Sequence, residues 1–244
     1  MILHIPHSSI QIPQEYLSSY RNLTQNDFNL LTDWYTEELY RFDSSNTIIY
    51  PYSRIFCDVE RFRNDELEYM NKFGMGVTYT KGVSGNIIRD LSDKQSEEIK
   101  KKYYDPHHQI LNLAVEEELK DNGKCMIVDC HSFPDELVPF MESAVRPDFC
   151  LGSDNFHTPK ELLTNIKNYL ISNGYCVEIN EPFSGSMVSS QHYKKNRNVN
   201  SILIEVNRKL YLDNNYNKNS HYNDIKDVIF NCIKLVESYT KNLK

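Results

Sequence analysis

The chain has 244 residues, 40% of them hydrophobic and 25% charged, so it can bury a hydrophobic core and wholesale disorder is excluded. Its formal net charge of −7 argues against nucleic acid as a ligand, because phosphate binding needs a basic surface. The sequence shows no N-terminal signal pattern and no apolar stretch near the roughly 20 residues of a membrane span. We therefore expect a cytoplasmic protein without a membrane partner. The six cysteines include no CxxC pair, which predicts reduced thiols.

Repeats, low-complexity tracts and long Gly/Ser linkers are absent from the sequence, so we predict a single domain over residues 1–244. Hydrophobic spacing and turn residues predict the elements of this domain. In chain order these are a strand over 1–5, a helix over 26–41, strands over 48–50 and 55–59, a hairpin or pocket loop over 74–88, a helix over 93–122, a strand over 124–130, a helix over 159–173, strands over 175–179 and 201–206, and a helix over 223–239. Strands that alternate with helices indicate an α/β fold with a mixed sheet.

The longest predicted helix has recognisable boundary signals. Ser92 and Gln95 match a capping box at its start, and Gly123 is a typical C-terminal stop. Pro106 lacks the backbone N–H that a helix interior uses, so we expect the helix to be kinked or divided there. The almost continuously apolar run 124–130 that follows is typical of a central strand covered on both faces.

Polar side chains that can bind a metal stand at the ends of the predicted strands. His7 follows the first strand, His131 follows the central apolar strand, Asp58 lies near the end of the predicted strand 55–59, and Glu205 lies inside a later apolar strand. In an α/β sheet such positions form a crevice. Two histidines and a carboxylate with one open position are the usual ligand set of a catalytic zinc. A further carboxylate can then accept the proton of the attacking water.

Each of these residues also has a structural interpretation, which the sequence leaves open. A histidine at a strand end is often only hydrogen-bonded, and Asp129 either caps a turn or orients His131. Glu205 could form an ion pair with Arg208, and the other arginines could lie on the surface. A cysteine hydrolase with Cys130 beside His131 is poorly supported, because adjacent residues of a strand point to opposite faces.

Short motifs follow one another along nearly the whole chain. They are IPHSS (5–9), DWY (33–35), SRIFCDVER (53–61), the glycine-containing segment 74–79, YDPHH (104–108), DCHS (129–132), PDFCLG (147–152), NEPFSG (180–185) and IEVNRKLY (204–211). In this order they resemble the N-formylglutamate amidohydrolase (formylglutamate deformylase) family. Any one motif is weakly specific, whereas the ordered set is strongly specific.

The resemblance implies a three-layer α/β/α sandwich with a mixed, largely parallel central sheet, similar to the zinc carboxypeptidases. It also implies metal-dependent hydrolysis of the formyl or a similar N-acyl amide of a small acidic amino acid such as glutamate. By the same resemblance, His7 and His131 are expected to bind Zn²⁺ or another divalent metal, and Glu205 is expected to be the general base. Because the usual HxxE carboxylate is missing after His7, we expect Asp58 to be the third metal ligand.

The resemblance also assigns substrate-binding roles. The two carboxylates of formylglutamate call for two arginines, since a guanidinium holds a carboxylate in a bidentate geometry. Arg208 and Arg61 are the first choices, with Arg54 as a further candidate, and one of them could instead stabilise the oxyanion. The neutral contacts expected to line the substrate site come from Asn180, Tyr211 and His108.

Two departures from the family pattern leave alternatives open. Glu60 stands where the family usually has Asn, and Ser186 stands where it usually has Gly. A negative charge at position 60 would repel an acidic substrate if it faces the pocket, so another acyl amino acid or a short peptide remains a possible substrate. A zinc carboxypeptidase, a peptidoglycan amidase, or an inactive relative that binds an acidic ligand are the other interpretations. The sequence predicts no oligomeric state.

Overall fold

The computed structural model describes residues 1–43, 45–137 and 145–242. The centre of the fold is a six-stranded sheet with the order β2-β1-β3-β6-β4-β5. Its strands are Ile2–Ile5 (β1), Asn46–Ile49 (β2), Cys125–Phe133 (β3), Phe149–Gly152 (β4), Val177–Ile179 (β5) and Val199–Asn207 (β6). Strand β4 runs antiparallel to β6, and the other neighbouring strands pair in parallel. The predicted mixed, largely parallel sheet is therefore confirmed.

Helices cover both faces of this sheet. They are Gln25–Leu31 (α1), Thr36–Leu39 (α2), Asp93–Ile99 (α3), Asp105–Asn122 (α4), Lys160–Ser172 (α5) and Tyr222–Asn242 (α6). One face of the sheet packs against α2, α5 and α6 in the largest apolar cluster. The opposite face packs against Leu111, Ala114 and Val115 of α4. The helices thus form two layers around the sheet, which is the predicted three-layer α/β/α sandwich.

The helical run 93–122 begins and ends as predicted. Ser92 and Gln95 form the capping box, and Gly123 adopts a left-handed conformation (φ 70°) at the C-terminal end. Between α3 and α4 lies a π-helical turn, Lys100–Tyr104. This wider turn comes directly before Pro106, which lies in the first turn of α4, where a missing N–H costs little. The helical run therefore continues through Pro106, with a change of helix type just before it in place of the expected kink or division.

The helix predicted over 26–41 is broken into α1 and α2. Thr32 ends α1 in an extended conformation, and Tyr35 adopts a left-handed conformation (φ 62°) before α2 begins. In the gap, the backbone N–H of Asp33 donates to the carbonyl of His7 at 2.9 Å. This tertiary contact competes with helical hydrogen bonds that the apolar spacing alone favoured.

One further prediction about strands was wrong, and one strand was not predicted. The segment 55–59 forms turns, in which the N–H of Asp58 donates to Val77 at 2.7 Å. Its apolar residues Ile55, Phe56, Cys57 and Val59 are fully buried, so their apolar character reflects core packing rather than a strand. Strand β4, Phe149–Gly152, was not predicted.

The segment 74–88 is a loop with one antiparallel bridge, between Lys81 and Ile87. Its Tyr79 is fully buried beside Asp58, so the loop covers a polar site as predicted. In the part of the chain that the structure describes, no helix is long and apolar enough to cross a membrane. The cytoplasmic location and the single domain over 1–244 stay predictions.

Candidate active site

The site lies at the carboxyl ends of three adjacent parallel strands, β1, β3 and β6. His7 follows β1, His131 lies near the end of β3, and Glu205 lies near the end of β6. His131 and Glu205 are paired directly across β3 and β6, so their side chains project from the same face of the sheet. Carboxyl ends of parallel strands form the crevice of an open α/β sheet. The structure thus brings together the three site residues that the sequence placed at strand ends.

Three ligand atoms from different segments point at one another. Nδ1 of His7 lies 3.3 Å from Nδ1 of His131. Oδ2 of Asp33 lies 3.0 Å from Nδ1 of His131 and 3.7 Å from Nδ1 of His7. All three residues are almost fully buried. This two-histidine, one-carboxylate group has the composition of a catalytic zinc site and can hold a divalent metal ion.

In His7 and His131, the ring nitrogen that points away from the ligand group contacts a further carboxylate. Nε2 of His7 lies 2.8 Å from Oδ1 of Asp58, and Nε2 of His131 lies 3.1 Å from Oδ1 of Asp129. Carboxylates in these positions keep the proton on Nε2 of a neutral ring and leave the lone pair on Nδ1 free for a metal. Both lone pairs then face the carboxylate of Asp33, an arrangement that a shared cation stabilises.

Protonation of His131 is the alternative to a metal in this cluster. Although burial disfavours the charged ring, the Asp129 and Asp33 carboxylates raise the pKa of His131 well above its ordinary value. Burial alone would raise the pKa of Asp33, yet its contacts with His131 and His7 hold it well below the usual range. The cluster is thus built for positive charge, and a metal ion would compete with the proton for this position.

Asp58 does not occupy the place that we predicted for it. Its Oδ1 contacts the outer edge of His7, and its Oδ2 accepts hydrogen bonds from Arg54 at 3.0 Å and Tyr79 at 2.8 Å. Burial raises the pKa of the Asp58 carboxyl, but Arg54 and His7 together lower it well below its usual value. With both oxygens engaged away from Nδ1, Asp58 orients His7, and Asp33 stands where the third ligand was expected.

Arg208 fixes the carboxylate of Asp33. Its guanidinium makes five hydrogen bonds, which equals the number of N–H donors that arginine has. One of them reaches Oδ1 of Asp33 at 2.9 Å, and the others reach Ser132 and the carbonyls that end α1. Arg208 also lines the pocket, so its contact with a substrate carboxylate stays a prediction, and that contact would have to replace one of these hydrogen bonds. Arg208 is only 4% exposed and acts as a support for Asp33.

Glu205 lies beside this cluster, on the strand next to His131. Its Oε2 is buried and accepts no hydrogen bond from the described residues. Burial, reinforced by the nearby Asp33 carboxylate, raises the pKa of Glu205 to about 8 despite the opposing charge of His131. An ion pair with Arg208 is not formed, because that guanidinium is fully used. Glu205 is thus poised to exchange a proton near neutral pH.

A pocket of about 580 Å³ opens over the cluster. The charged and titratable residues that line it are His7, Arg54, Glu60, Arg61, His131, Glu205 and Arg208. The side chains of Arg54 and Arg61 are 17% and 19% exposed, and each makes part of its hydrogen bonds to Asp58 or to Tyr79. The pocket therefore offers two accessible guanidinium groups next to the proposed metal ligands.

The other three residues that were predicted to contact the substrate lie in different surroundings. Asn180 lines the pocket, although its amide already bonds to Ser153. Tyr211 is fully buried and donates to the carbonyl of Trp34, so its predicted contact with a substrate is not supported. His108 lines a neighbouring cavity instead, with Nε2 at 2.9 Å from the carbonyl of Val59. Tyr211 and His108 therefore support the fold around the pocket.

A chain of buried hydrogen bonds extends from His131 into the sheet. Oδ1 of Asp129 lies 3.0 Å from Nδ1 of His4, and Nε2 of His4 lies 2.9 Å from Nε2 of His107 on α4. Burial lowers the pKa of His4, but Asp129 and Glu60 outweigh it and raise this pKa to about 9. Burial beside this charged ring lowers the pKa of His107 to about 2, so His107 is a neutral acceptor. The orienting role considered for Asp129 is consistent with this geometry.

Sequence patterns gave no separate signal for Asp33, Tyr79 or His4. Asp33 lay inside a helical pattern, and its only sign was its place in the Asp-Trp-Tyr motif. Cys130, in contrast, lies on the opposite face of β3 from His131, buried in the largest apolar cluster. Burial raises the pKa of its thiol, so a cysteine nucleophile has no support here.

Comparisons with known proteins agree with this fold. Sequence comparison with curated proteins gives no match. In shape the chain is similar to the crystal structure of N-formylglutamate amidohydrolase from Ralstonia eutropha, with a TM-score of 0.85, 18% identity, and coverage of 100% of this chain and 94% of that chain. It is also similar to a gene product of Agrobacterium tumefaciens, with a TM-score of 0.66, 15% identity, and coverage of 97% of this chain and 91% of that chain.

Likeness at such identities shows the fold alone, whereas the sequence itself is matched by a family model. The model described as N-formylglutamate amidohydrolase matches residues 1–212, which include the three proposed ligands, both accessible arginines and Glu205. The chain therefore belongs to the N-formylglutamate amidohydrolase family, a family of enzymes that hydrolyse amides.

Proposed function

We propose that the chain is a metal-dependent amidohydrolase that removes the N-acyl group from a small acidic amino acid, with N-formylglutamate as the reference substrate. The proposed ligands are His7, Asp33 and His131, and zinc is the metal expected for this donor set. The observation that carries the proposal is the place of Glu205, whose buried, unpaired carboxylate oxygen stands beside the ligand group. An inactive relative would have no need of this unpaired carboxylate.

When bound, a divalent ion polarises the scissile carbonyl and lowers the pKa of water in the site. Glu205 accepts the proton of the attacking water and delivers it to the leaving nitrogen. Burial raises the pKa of Glu205 to about 8, and the positive charge of a bound divalent ion would lower it towards neutrality, so that the carboxylate can accept a proton and give it up again. Asp58 and Asp129 keep the two imidazole rings in the tautomer that leaves Nδ1 free.

Arg54 and Arg61 account for the preference for an acidic substrate. Both line the pocket, and their side chains keep exposed donors that can hold a carboxylate. The pocket volume of about 580 Å³ suits a small amino acid derivative. Arg61 lines the same pocket as His7, His131 and Glu205, and one of the two arginines could instead stabilise the developing oxyanion.

The direct test is hydrolysis of N-formylglutamate by the purified protein, with formate and glutamate as measured products. We expect turnover that a chelator abolishes and that zinc or another divalent ion restores. Turnover that persists after complete metal removal would overturn the metal-dependent mechanism. A metal-loaded protein that hydrolyses no N-acyl acidic amino acid would overturn the proposed function.

A further inference from the structure

A second cavity of about 540 Å³ adjoins the first. Four residues, Glu60, Arg61, Ser184 and Leu203, line both cavities and form the wall between them. Leu203 lies two residues before Glu205 on β6, so both side chains project from the same face of the strand. Two residues of a strand span about 7 Å. A group that reaches from an amide beside Glu205 to Leu203 therefore needs several carbon atoms, which a formyl group does not have.

Within the part of the chain that the structure describes, the charged side chains that line the second cavity are all paired. Oε1 of Glu60 lies 3.1 Å from Nδ1 of His4, and Asp129 accepts hydrogen bonds from His4 and from a backbone N–H. Arg61 pairs with Asp58 and donates to two further oxygens. A charged ligand would have to be buried here without a partner, which is costly. The cavity is therefore suited to an uncharged group.

The uncharged lining of the second cavity is largely apolar. Six apolar or aromatic side chains contribute to it, namely Phe62, Tyr104, Met187, Val188, Tyr193 and Leu203. The hydroxyl of Tyr104 donates to the carbonyl of Arg61 at 2.7 Å, so its polar atom already has a partner within the protein. Each methylene group that moves from water into such surroundings contributes favourable free energy. The second cavity therefore favours an alkyl chain.

We propose that the second cavity binds the acyl group of the substrate and selects an uncharged alkyl chain, so that the enzyme hydrolyses derivatives of acidic amino acids whose N-acyl group is longer than formyl. This inference rests on the proposed function, because the same proposed metal ligands, arginines and Glu205 act on the amide. The oxygen of water is added to the carbonyl carbon, the C–N bond breaks, and a proton passes from the water through Glu205 to the leaving nitrogen. The products are a carboxylic acid and the acidic amino acid.

The first test varies only the length of the acyl group. The substrates are N-acetyl-, N-propionyl-, N-butanoyl- and N-pentanoylglutamate, whose amides have similar reactivity, and N-formylglutamate reports the proposed function independently. From acetyl to pentanoyl, kcat/KM of the metal-loaded enzyme should rise by up to about fourfold for each added methylene group. Values that stay level, fall or are undetectable from acetyl to pentanoyl, with N-formylglutamate still hydrolysed, would overturn the inference and leave the proposed function standing. A protein that hydrolyses none of the five would overturn both.

The second test keeps the shape of the acyl group and changes its charge. N-(4-aminobutanoyl)glutamate carries an ammonium where N-pentanoylglutamate carries a methyl group. The pentanoyl compound should have a kcat/KM at least about tenfold higher, because the cavity has no partner for the ammonium. A ratio near one, or a preference for the ammonium, would contradict an apolar acyl site.

The Phe62→Ala variant shows whether the acyl chain lies in the second cavity. Phe62 lines this cavity and not the first, and it is 53% exposed, so the substitution leaves the hydrophobic core intact. It should lower kcat/KM for N-pentanoylglutamate by about threefold or more and leave that for N-formylglutamate unchanged. As a control, Leu67→Ala changes an exposed apolar side chain of the same segment that lines neither cavity, and it should leave both values as they are. An unchanged preference for the longer acyl group in Phe62→Ala would place the chain outside the second cavity and overturn the inference.

Discussion

Arg208 and Asp33 form the ion pair that sets the geometry of the proposed metal centre. Nη2 of Arg208 lies 2.9 Å from Oδ1 of Asp33, and this leaves Oδ2 of Asp33 facing Nδ1 of His131 at 3.0 Å. The arginine is anchored in turn by backbone carbonyls at the end of α1 and by Ser132. The carboxylate of Asp33 thus connects three parts of the fold, which are the break between α1 and α2, strand β3, and the turn after β6.

The ion pair between Arg208 and Asp33 predicts the effect of Arg208→Lys on metal binding. Lysine cannot reproduce the planar set of five donors, so Asp33 should lose its fixed orientation. We expect metal affinity to fall by about 10- to 100-fold, the usual cost of removing a residue that orients a ligand. Metal titration of the purified variant measures this. A variant with wild-type metal affinity and only a raised KM would restore Arg208 to the role of a substrate contact.

Arg54→Lys should act on the substrate. Arg54 lines the pocket and keeps part of its guanidinium exposed there. Losing a bidentate contact to a carboxylate should lower kcat/KM for N-formylglutamate by about tenfold or more. The matched measurement uses N-formyl-leucine, which lacks the second carboxylate and should lose less. An equal loss of kcat/KM for both substrates would mean that the substitution acts through Asp58, which Arg54 also contacts, and not through the substrate carboxylate.

Glu205→Gln should remove turnover and keep the metal. The amide has the size of the carboxylate but cannot accept the proton of water, so kcat should fall by about 10²- to 10⁴-fold. Elemental analysis should give the same metal content as for the wild type, since Glu205 is not among the three proposed ligands. Near-normal turnover in the metal-loaded variant would exclude Glu205 as the general base.

The buried pair of His4 and His107 predicts a pH-dependent stability. Because burial beside His4 lowers the pKa of His107 to about 2, the folded ring stays neutral while the unfolded ring gains a proton below its ordinary pKa of 6.5. This contribution to stability is full above pH 6.5 and is lost as the pH falls. Between pH 8 and pH 5.5 the wild type should lose about 1.4 kcal/mol through this residue.

His107→Phe tests that account. At pH 8 the variant should be less stable than the wild type by about 1–3 kcal/mol, because Nε2 of His4 loses its acceptor. The difference should shrink on going to pH 5.5, since phenylalanine takes up no proton. Urea unfolding at the two pH values gives both free energies. A difference that stays constant with pH would mean that His107 is protonated in the folded protein.

The sequence predicted the parts of the site that depend on single strands. His7, His131 and Glu205 stand at the ends of apolar strands, and neighbouring parallel strands bring such ends together without further information. The capping box at Ser92 was equally local, since it needs only residues three positions apart. The positions of these residues and the cap could be predicted because periodicity and capping are properties of short segments.

The parts that failed depend on contacts between distant segments. Asp33 lies in a gap that a bond to His7 helps to open, and helical spacing cannot reveal such a gap. Asp58 was expected in a strand, but it lies in a turn on the outer side of His7. The hydrogen bonds between Arg208 and Asp33 were not predicted, because a sequence does not show which donors the fold uses.

The central claim is that Asp33, and not Asp58, completes the metal centre. The most direct measurement is the zinc content and zinc affinity of the wild type, Asp33→Asn and Asp58→Asn after removal and return of the metal. We predict about one zinc per chain in the wild type, none retained by Asp33→Asn, and a bound but more weakly held zinc in Asp58→Asn. Zinc that is retained by Asp33→Asn and lost from Asp58→Asn would contradict the account.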